Sequence, residues 1–331
     1  MRICVVGAGL AGSLLAWRLA ADRTVRVDLA GSPGAADATA ASGGVVRGFE
    51  TLPEQRELAL DSLRELLDSA LLRAWSGYRE TGSTFVPSGP PAAELETAVK
   101  EIEAVVPGSA ALTGAPDGWA GLPGGAVAVT ERVAGRISPA ALRDAVLADL
   151  AGRVTLRPGP ATGIGPGRCD GREYDVVVLA AGAWTPGLLG AGTPLRTKLI
   201  RYAVHAVSGW TPTAFVDETT GLYGAPGQDG LLLGLPTTEW DADPSGPHAP
   251  TDPHPAAALA TARFPRLRLG PVRRTAVAAD CYTTPPVLAL RTVYGTEGRL
   301  ATFAGGSGGA AKTALSASLR AAAQLTHTPI T

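Results

Sequence analysis

The stretch Arg2-Ile3-Cys4-Val5-Val6-Gly7-Ala8-Gly9-Leu10-Ala11-Gly12 joins a short apolar run to a Gly-x-Gly-x-x-Gly turn. Ile3 to Val6 have the apolar, β-branched character of a buried parallel strand, and a helical run, Ser13 to Ala21, follows without a loop. Each glycine has a task in such a junction. Gly7 allows the tight turn, Gly9 lets the backbone approach a pyrophosphate, and Gly12 lets helix and strand pack closely. Leu10 and Ala11 open the helix, whose free N–H groups and partial positive charge favour phosphate. A second apolar strand, Thr24 to Asp28, ends on an acid at the distance where a ribose partner is expected, so Asp28 is assigned to the ribose. The pattern predicts a dinucleotide clamp and does not separate FAD from NAD.

With 331 residues, 45% of them hydrophobic, the chain is long enough for one large domain or two ordinary ones with a sizeable core. A net charge of −1 supplies no field for nucleic acid or an anionic membrane, and no basic patch with interleaved aromatics occurs. Neither is expected as a partner. The first residues imitate a signal peptide, yet three glycines spaced for phosphate contact fit a buried strand and turn better. No apolar run reaches the 18 or more residues of a membrane span, and three cysteines do not make a disulfide framework. A cytoplasmic protein is expected. His248 and His254 lie among prolines without cysteine or paired carboxylates, so no metal site is expected there.

Beyond Asp28 a segment rich in Ala, Gly and Ser, Gly31 to Gly44, leads into Val45-Val46-Arg47, and such a segment can lie close to a ligand. Helical spacing marks Pro53 to Arg73 and Ala92 to Val105, with a strand at Ser83 to Val86 between them. Ser138 caps a helix that has Pro139 at its first position and runs to about Leu150. A strand at Val154 to Leu156 follows. Tyr174 to Ala180 reads as a second buried parallel strand, ending in Ala181-Gly182-Ala183-Trp184. From Leu195 to about Gly234 the pattern is antiparallel, with strands at Tyr202 to Val207, Ala214 to Val216 and Leu231 to Leu233. Asp241 to Pro255 reads as a surface loop, and His205 as a strand residue without a catalytic role. Strands resume at Val277 to Thr284 and Leu288 to Thr292. Leu300 to Ala304 then enters Gly305-Gly306-Ser307-Gly308-Gly309-Ala310-Ala311-Lys312, ahead of a last helix to about Leu325. The fold class is therefore α/β, α+β overall: a Rossmann-like dinucleotide domain with an inserted, mostly antiparallel β-sheet domain.

Three separated motifs in this order resemble the D-amino acid oxidase superfamily, in particular its monomeric sarcosine oxidase and glycine oxidase branch. They are Gly7-x-Gly9-x-x-Gly12 with Asp28, the run Asp175 to Trp184, and Gly305-x-Ser307-Gly308-x-x-x-Lys312, which is similar to the family's Gly-Phe-Ser-Gly-His-Gly-Phe-Lys turn. A nicotinamide enzyme needs no second glycine turn at its C-terminus, so the combination favours FAD. The resemblance implies residues 1–60, 131–194 and 276–331 as the FAD-binding domain, and 61–130 with 195–275 as the substrate domain. It also implies oxidation of a C–N bond of an amino acid, imino acid or related amine to an imine, by hydride transfer to the flavin. Further residues placed against FAD are Ser42, Gly43, Gly44, Ala181, Gly182, Trp184, Cys281, Gly306, Gly309 and Lys312. Arg47 and Lys312 match the family's two ligands of the substrate carboxylate, a bidentate fork and a point charge. Tyr282 joins them as a pocket residue.

Several positions depart from the family. Its covalent thiol lies in Cys-x-Tyr-Thr, whereas Cys281 directly precedes Tyr282, and one step along a strand turns a side chain to the opposite face unless a bulge intervenes. Leu232 stands where the family has an oxygen-activating lysine, for which Lys198 is the available substitute. Gly306, Gly309 and Ala311 replace bulky residues, so a wider pocket and a larger or cyclic substrate are expected. These departures suggest specialised biosynthesis. The fold leaves open a flavin dehydrogenase, a hydroxy-acid oxidoreductase or a non-catalytic flavin-binding subunit. The sequence leaves the oligomeric state open.

Overall fold

In the computed structural model, residues 1–34, 37–89, 92–190 and 192–327 are described. Residues 35 and 36 of the small-residue segment lie outside them, as do parts of the expected domain spans at 90–91, 191 and 328–331. A six-stranded sheet runs in the order Ala289–Thr292, Leu300–Ala304, Val176–Leu179, Arg2–Val6, Arg26–Ala30, Thr155–Arg157. Only its outermost pairing, Ala289–Thr292 on Leu300–Ala304, is antiparallel. The apolar run at the N-terminus follows from burial on both faces. Ile3 and Val5 pack with Leu14, Leu15 and Leu315 of the helices Leu10–Leu19 and Ala310–His327, while Cys4 and Val6 pack with Cys169, Tyr174 and Leu179. A strand covered on both sides shows no polar alternation.

An eight-stranded sheet stands beside it, in the order Arg268–Tyr282, Arg196–Ser208, Gly230–Gly234, Leu222–Gly227, Ala214–Asp217, Ser83–Val86, Ala128–Glu131, Ala110–Thr113. Its pairings are antiparallel except Ala214–Asp217 with Ser83–Val86. Arg268–Tyr282 crosses positions 275 and 276 without interruption. A small third sheet, Val45–Val46, Gly135–Arg136 and Arg79–Glu80, ties the segment before Arg47 to the middle of the chain.

Ser138 caps Pro139–Leu150 by accepting the Ala141 N–H at 3.2 Å. Two expectations are corrected. The helix expected from Pro53 to Arg73 divides into Pro53–Asp68 and Ala70–Ser76, because extended Ser69 ends one helix and its hydroxyl caps the next by accepting the Leu72 N–H. The loop expected to reach Pro255 ends earlier, at the helix His254–Arg263. That helix buries only Ala256, Ala260 and Arg263 of its own residues, a face too small to print a clear periodicity in the sequence.

Gly12 meets the need for close packing inferred from the motif: a Cβ there would lie 1.9 Å from the Gly7 carbonyl oxygen. Gly12→Ala is expected to destabilise the protein by about 1–3 kcal/mol, measurable as a lower urea midpoint. An unchanged midpoint would contradict this packing.

Candidate active site

The strands Arg2–Val6, Val176–Leu179 and Leu300–Ala304 are parallel neighbours, so their carboxyl ends open on the same edge of the sheet. A cavity of about 900 Å³ lies there, walled by Gly7, Gly9, Leu10, Ala11, the segment around Ser42 to Gly44, Ala181 to Trp184, and Gly305 to Lys312. Open α/β sheets place ligands at this edge. Gly7 has φ +120° and no room for a Cβ, which would sit 2.4 Å from the Ala180 carbonyl oxygen. Gly9 begins the helix Leu10–Leu19 with no side-chain cap, leaving the helix N-terminus directed at the cavity. Thr39, which sequence reasoning missed, accepts the Leu10 N–H at 3.1 Å.

Asp28 is not brought to this site. It lies in mid-strand opposite Cys4, is buried, and accepts hydrogen bonds from the Tyr174 hydroxyl at 2.7 Å and Arg2 Nη2 at 3.3 Å. The carboxyl end of its strand presents Ala30, Gly31 and Ser32 to the cavity instead. The ribose assignment is thereby corrected: distance along the sequence pointed to Asp28, but the strand runs two residues further. Asp37 is the acid on this wall, paired with Arg143 at 3.3 Å. Trp184 lies at the rim, 39% exposed, its indole N–H donating to the Ser245 hydroxyl.

At the far end the glycine turn is pinned to the strand Arg268–Tyr282. Ser307 donates its N–H to the Cys281 carbonyl at 3.1 Å, and Gly308 donates to Asp280 Oδ2 at 2.9 Å. Ser307 sits at φ +52°, a region that non-glycine residues seldom enter, held there by these bonds. The strand pairs with Arg196–Ser208 in unbroken register from Arg196↔Tyr282 to Val204↔Arg274, so no bulge falls near position 281. Cys281 packs among Leu195 and Ala304, and burial with the nearby Asp280 pushes its thiol up to about 12. Cys281 itself borders the cavity, and Asp280 and Tyr282 line it from the opposite face of the strand. Burial raises the Asp280 carboxyl above the usual range. Opposite Asp280 in the register is Lys198, whose Nζ lies 4.8 Å from the Trp240 ring centre and 5.7 Å from that of Tyr282.

Arg47 and Lys312 meet, but through an intermediary that the sequence reading did not single out. Glu50 Oε1 lies 3.1 Å from Arg47 Nη2 and 2.5 Å from Lys312 Nζ, and all three line the cavity. Arg47 also donates from Nε to the Phe49 carbonyl and rests 4.8 Å from the centre of the Phe85 ring. Buried Glu131 accepts the N–H groups of Gly48 and Phe49 at 2.7 and 2.9 Å, fixing the loop that carries both Arg47 and Glu50. Burial opposes the Glu50 charge, yet Lys312 and Arg47 outweigh it and hold the carboxyl below its ordinary range. Burial likewise lowers Lys312, with Glu50 opposing the shift. The only signal for Glu50 in the sequence was its place three residues after Arg47, and a loop does not reveal where such a side chain points.

Around the rest of the cavity, Phe215, Val216, Tyr223, Leu232 and Leu235 of the eight-stranded sheet and its edge form an apolar wall. Leu232 packs with Tyr202 and Val204 and faces Gly43.

A cleft lined by a helix N-terminus and three glycine turns at the carboxyl edge of a parallel sheet is the site of a dinucleotide-dependent oxidoreductase, and its donors and small residues fit FAD. The chain belongs to the DAO family of FAD-dependent oxidoreductases, whose model matches residues 2–323. Among solved structures it is similar to the L-proline dehydrogenase from P. horikoshii, at 17% identity and TM-score 0.78 over 99% of this chain and 95% of that one. It is similar to the glycine oxidase from Bacillus cereus, at 16% identity and TM-score 0.71 over 98% and 94%. NikD, an unusual amino acid oxidase essential for nikkomycin biosynthesis, shares the fold at 18% identity and TM-score 0.73 over 98% and 93%. No curated protein sequence matches the chain closely. Among the described residues no helix is long and apolar enough to cross a membrane.

Because folding lowers the Glu50 pKa, its contribution to stability is full above the ordinary carboxylate range and is lost as pH falls through the lower, folded value. Glu50→Gln is expected to cost about 3 kcal/mol at neutral pH, with the difference from wild type shrinking in acid. Urea unfolding at the two pH values checks this, and a difference that grows in acid would refute it.

Proposed function

We propose that the protein oxidises the C–N bond of an amino or imino acid carrying a bulky apolar group, releasing an imine that is hydrolysed or captured. The observation that carries this reading is the meeting of Arg47 and Lys312 in the cavity, beside the glycine turn and in a space that also has an apolar wall. FAD supplies the hydride acceptor when bound. Arg47 and Lys312 hold the substrate carboxylate, which orients the carbon that loses hydride; the apolar wall receives the side chain and excludes water. The same reading assigns the six-stranded sheet to the cofactor and the eight-stranded sheet to the substrate. A place in specialised biosynthesis is supported by the departures of the pocket from the family's motifs and by the fold shared with NikD.

A dehydrogenase that passes electrons to an acceptor other than oxygen is the second reading, favoured by Leu232, which puts an apolar side chain on the wall. In anaerobic mixing, amino or imino acids are expected to bleach the flavin, and admission of air divides oxidase from dehydrogenase by peroxide formation. Bleaching by hydroxy acids alone would overturn the reaction class. Arg47→Ala is expected to raise KM for the carboxylate substrate by about 10–100-fold, read from steady-state kinetics.

With Cys281 packed against Leu195 and Ala304 and its thiol held protonated by burial, FAD is held without a covalent bond. Acid precipitation is expected to leave a colourless pellet and a yellow supernatant; a yellow pellet with a flavin's added mass would contradict this.

A further inference from the structure

Six charged side chains line the cavity among the described residues: Asp37, Arg47, Glu50, Lys198, Asp280 and Lys312. Three are answered by groups other than the carboxylate ligands. Asp37 pairs with Arg143, Lys198 lies near the Trp240 and Tyr282 rings, and Asp280 accepts the N–H groups of Cys281 and Gly308. Arg47, Glu50 and Lys312 remain as a knot in which one carboxylate oxygen serves two cations. Glu131 lies behind the wall with both oxygens engaged by backbone N–H groups, and it is common to every variant considered below.

We propose that Glu50 sets the number of carboxylates a substrate carries: by cancelling one of the two positive charges of Arg47 and Lys312, it restricts the site to monocarboxylic amino or imino acids. This rests on the function proposed above and deepens it. Two cations and one carboxylate leave a single positive unit. A monocarboxylic substrate neutralises that unit with its amine uncharged, the form that gives up hydride. A dicarboxylic amine brings a further negative charge into a buried cavity, where an unpaired charge is costly. Removing the Glu50 charge opens a second positive unit and reverses the preference. Rejection here comes from a like charge placed against the unwanted ligand rather than from a tighter fit to the wanted one.

The test uses holoenzyme and two unreactive acids, propionate and succinate, followed through the shift each causes in the visible absorbance of the flavin. Wild type is expected to bind propionate in preference to succinate. In Glu50→Gln the ratio of affinities is expected to move toward succinate by about tenfold or more. The double variant Glu50→Gln/Lys312→Met, which has one cation and no anion, is expected to return to propionate. An unchanged ratio in Glu50→Gln overturns the proposal. Should Glu50→Gln fail to fold, the double variant is compared with Lys312→Met, in which Arg47 and Glu50 cancel. The double variant is expected to bind propionate about tenfold more tightly than that single variant, and equal binding overturns the proposal. Anaerobic reduction of wild type by amino acids is scored separately. Without it the proposed function fails even where the acids discriminate by charge; with it, an unshifted ratio sinks only the role of Glu50.

Discussion

Three strands from distant parts of the chain, Arg2–Val6, Val176–Leu179 and Leu300–Ala304, pair side by side in parallel, and the architecture of the site depends on that pairing. Parallel registration brings their carboxyl ends to one edge, so the turns that follow them converge although nearly three hundred residues separate the first from the last. The chain entropy lost in closing such long connections is offset by apolar burial on both faces, with Ile3 and Val5 against the helices and Cys4 and Val6 against the opposite layer. Glycines at the turns then let backbone, rather than side chains, form the wall.

A second constraint is electrostatic. Arg47 and Lys312 come from opposite ends of the chain and would repel in a buried setting, and Glu50 between them is what allows both to be there. Glu131 holds the loop from beneath through two N–H groups. Under the proposed function, the cations are therefore positioned before any substrate arrives. Such preorganisation limits the ordering that binding would otherwise require.

Alternation along Arg268–Tyr282 shows how closely one residue of register controls chemistry. The motif reading noted that Cys281 precedes Tyr282 directly and that a bulge would be needed to turn it inward. The unbroken register leaves the thiol packed with Leu195 and Ala304 at the cavity wall, with Asp280 and Tyr282 on the other face of the strand. Asp280 was legible in principle, since it lies two residues before Tyr282 and so shares its face of the strand. Asp28 failed for the complementary reason: spacing located an acid near the end of a strand, and the strand extended to Ala30.

The sequence by itself determined what local chemistry can encode: the glycine turns, the apolar strands, the Ser138 cap, the family and its FAD, and the two cations at Arg47 and Lys312. These are legible because turn, strand and cap each need particular residue types at short, regular spacing. The tertiary structure alone decided which charges meet and which faces turn inward. Glu50 joins two cations separated by more than two hundred residues, Asp28 is drawn into a buried network with Tyr174, and Asp280 joins the cavity wall. Such contacts depend on distances through space, and no spacing along the chain records them.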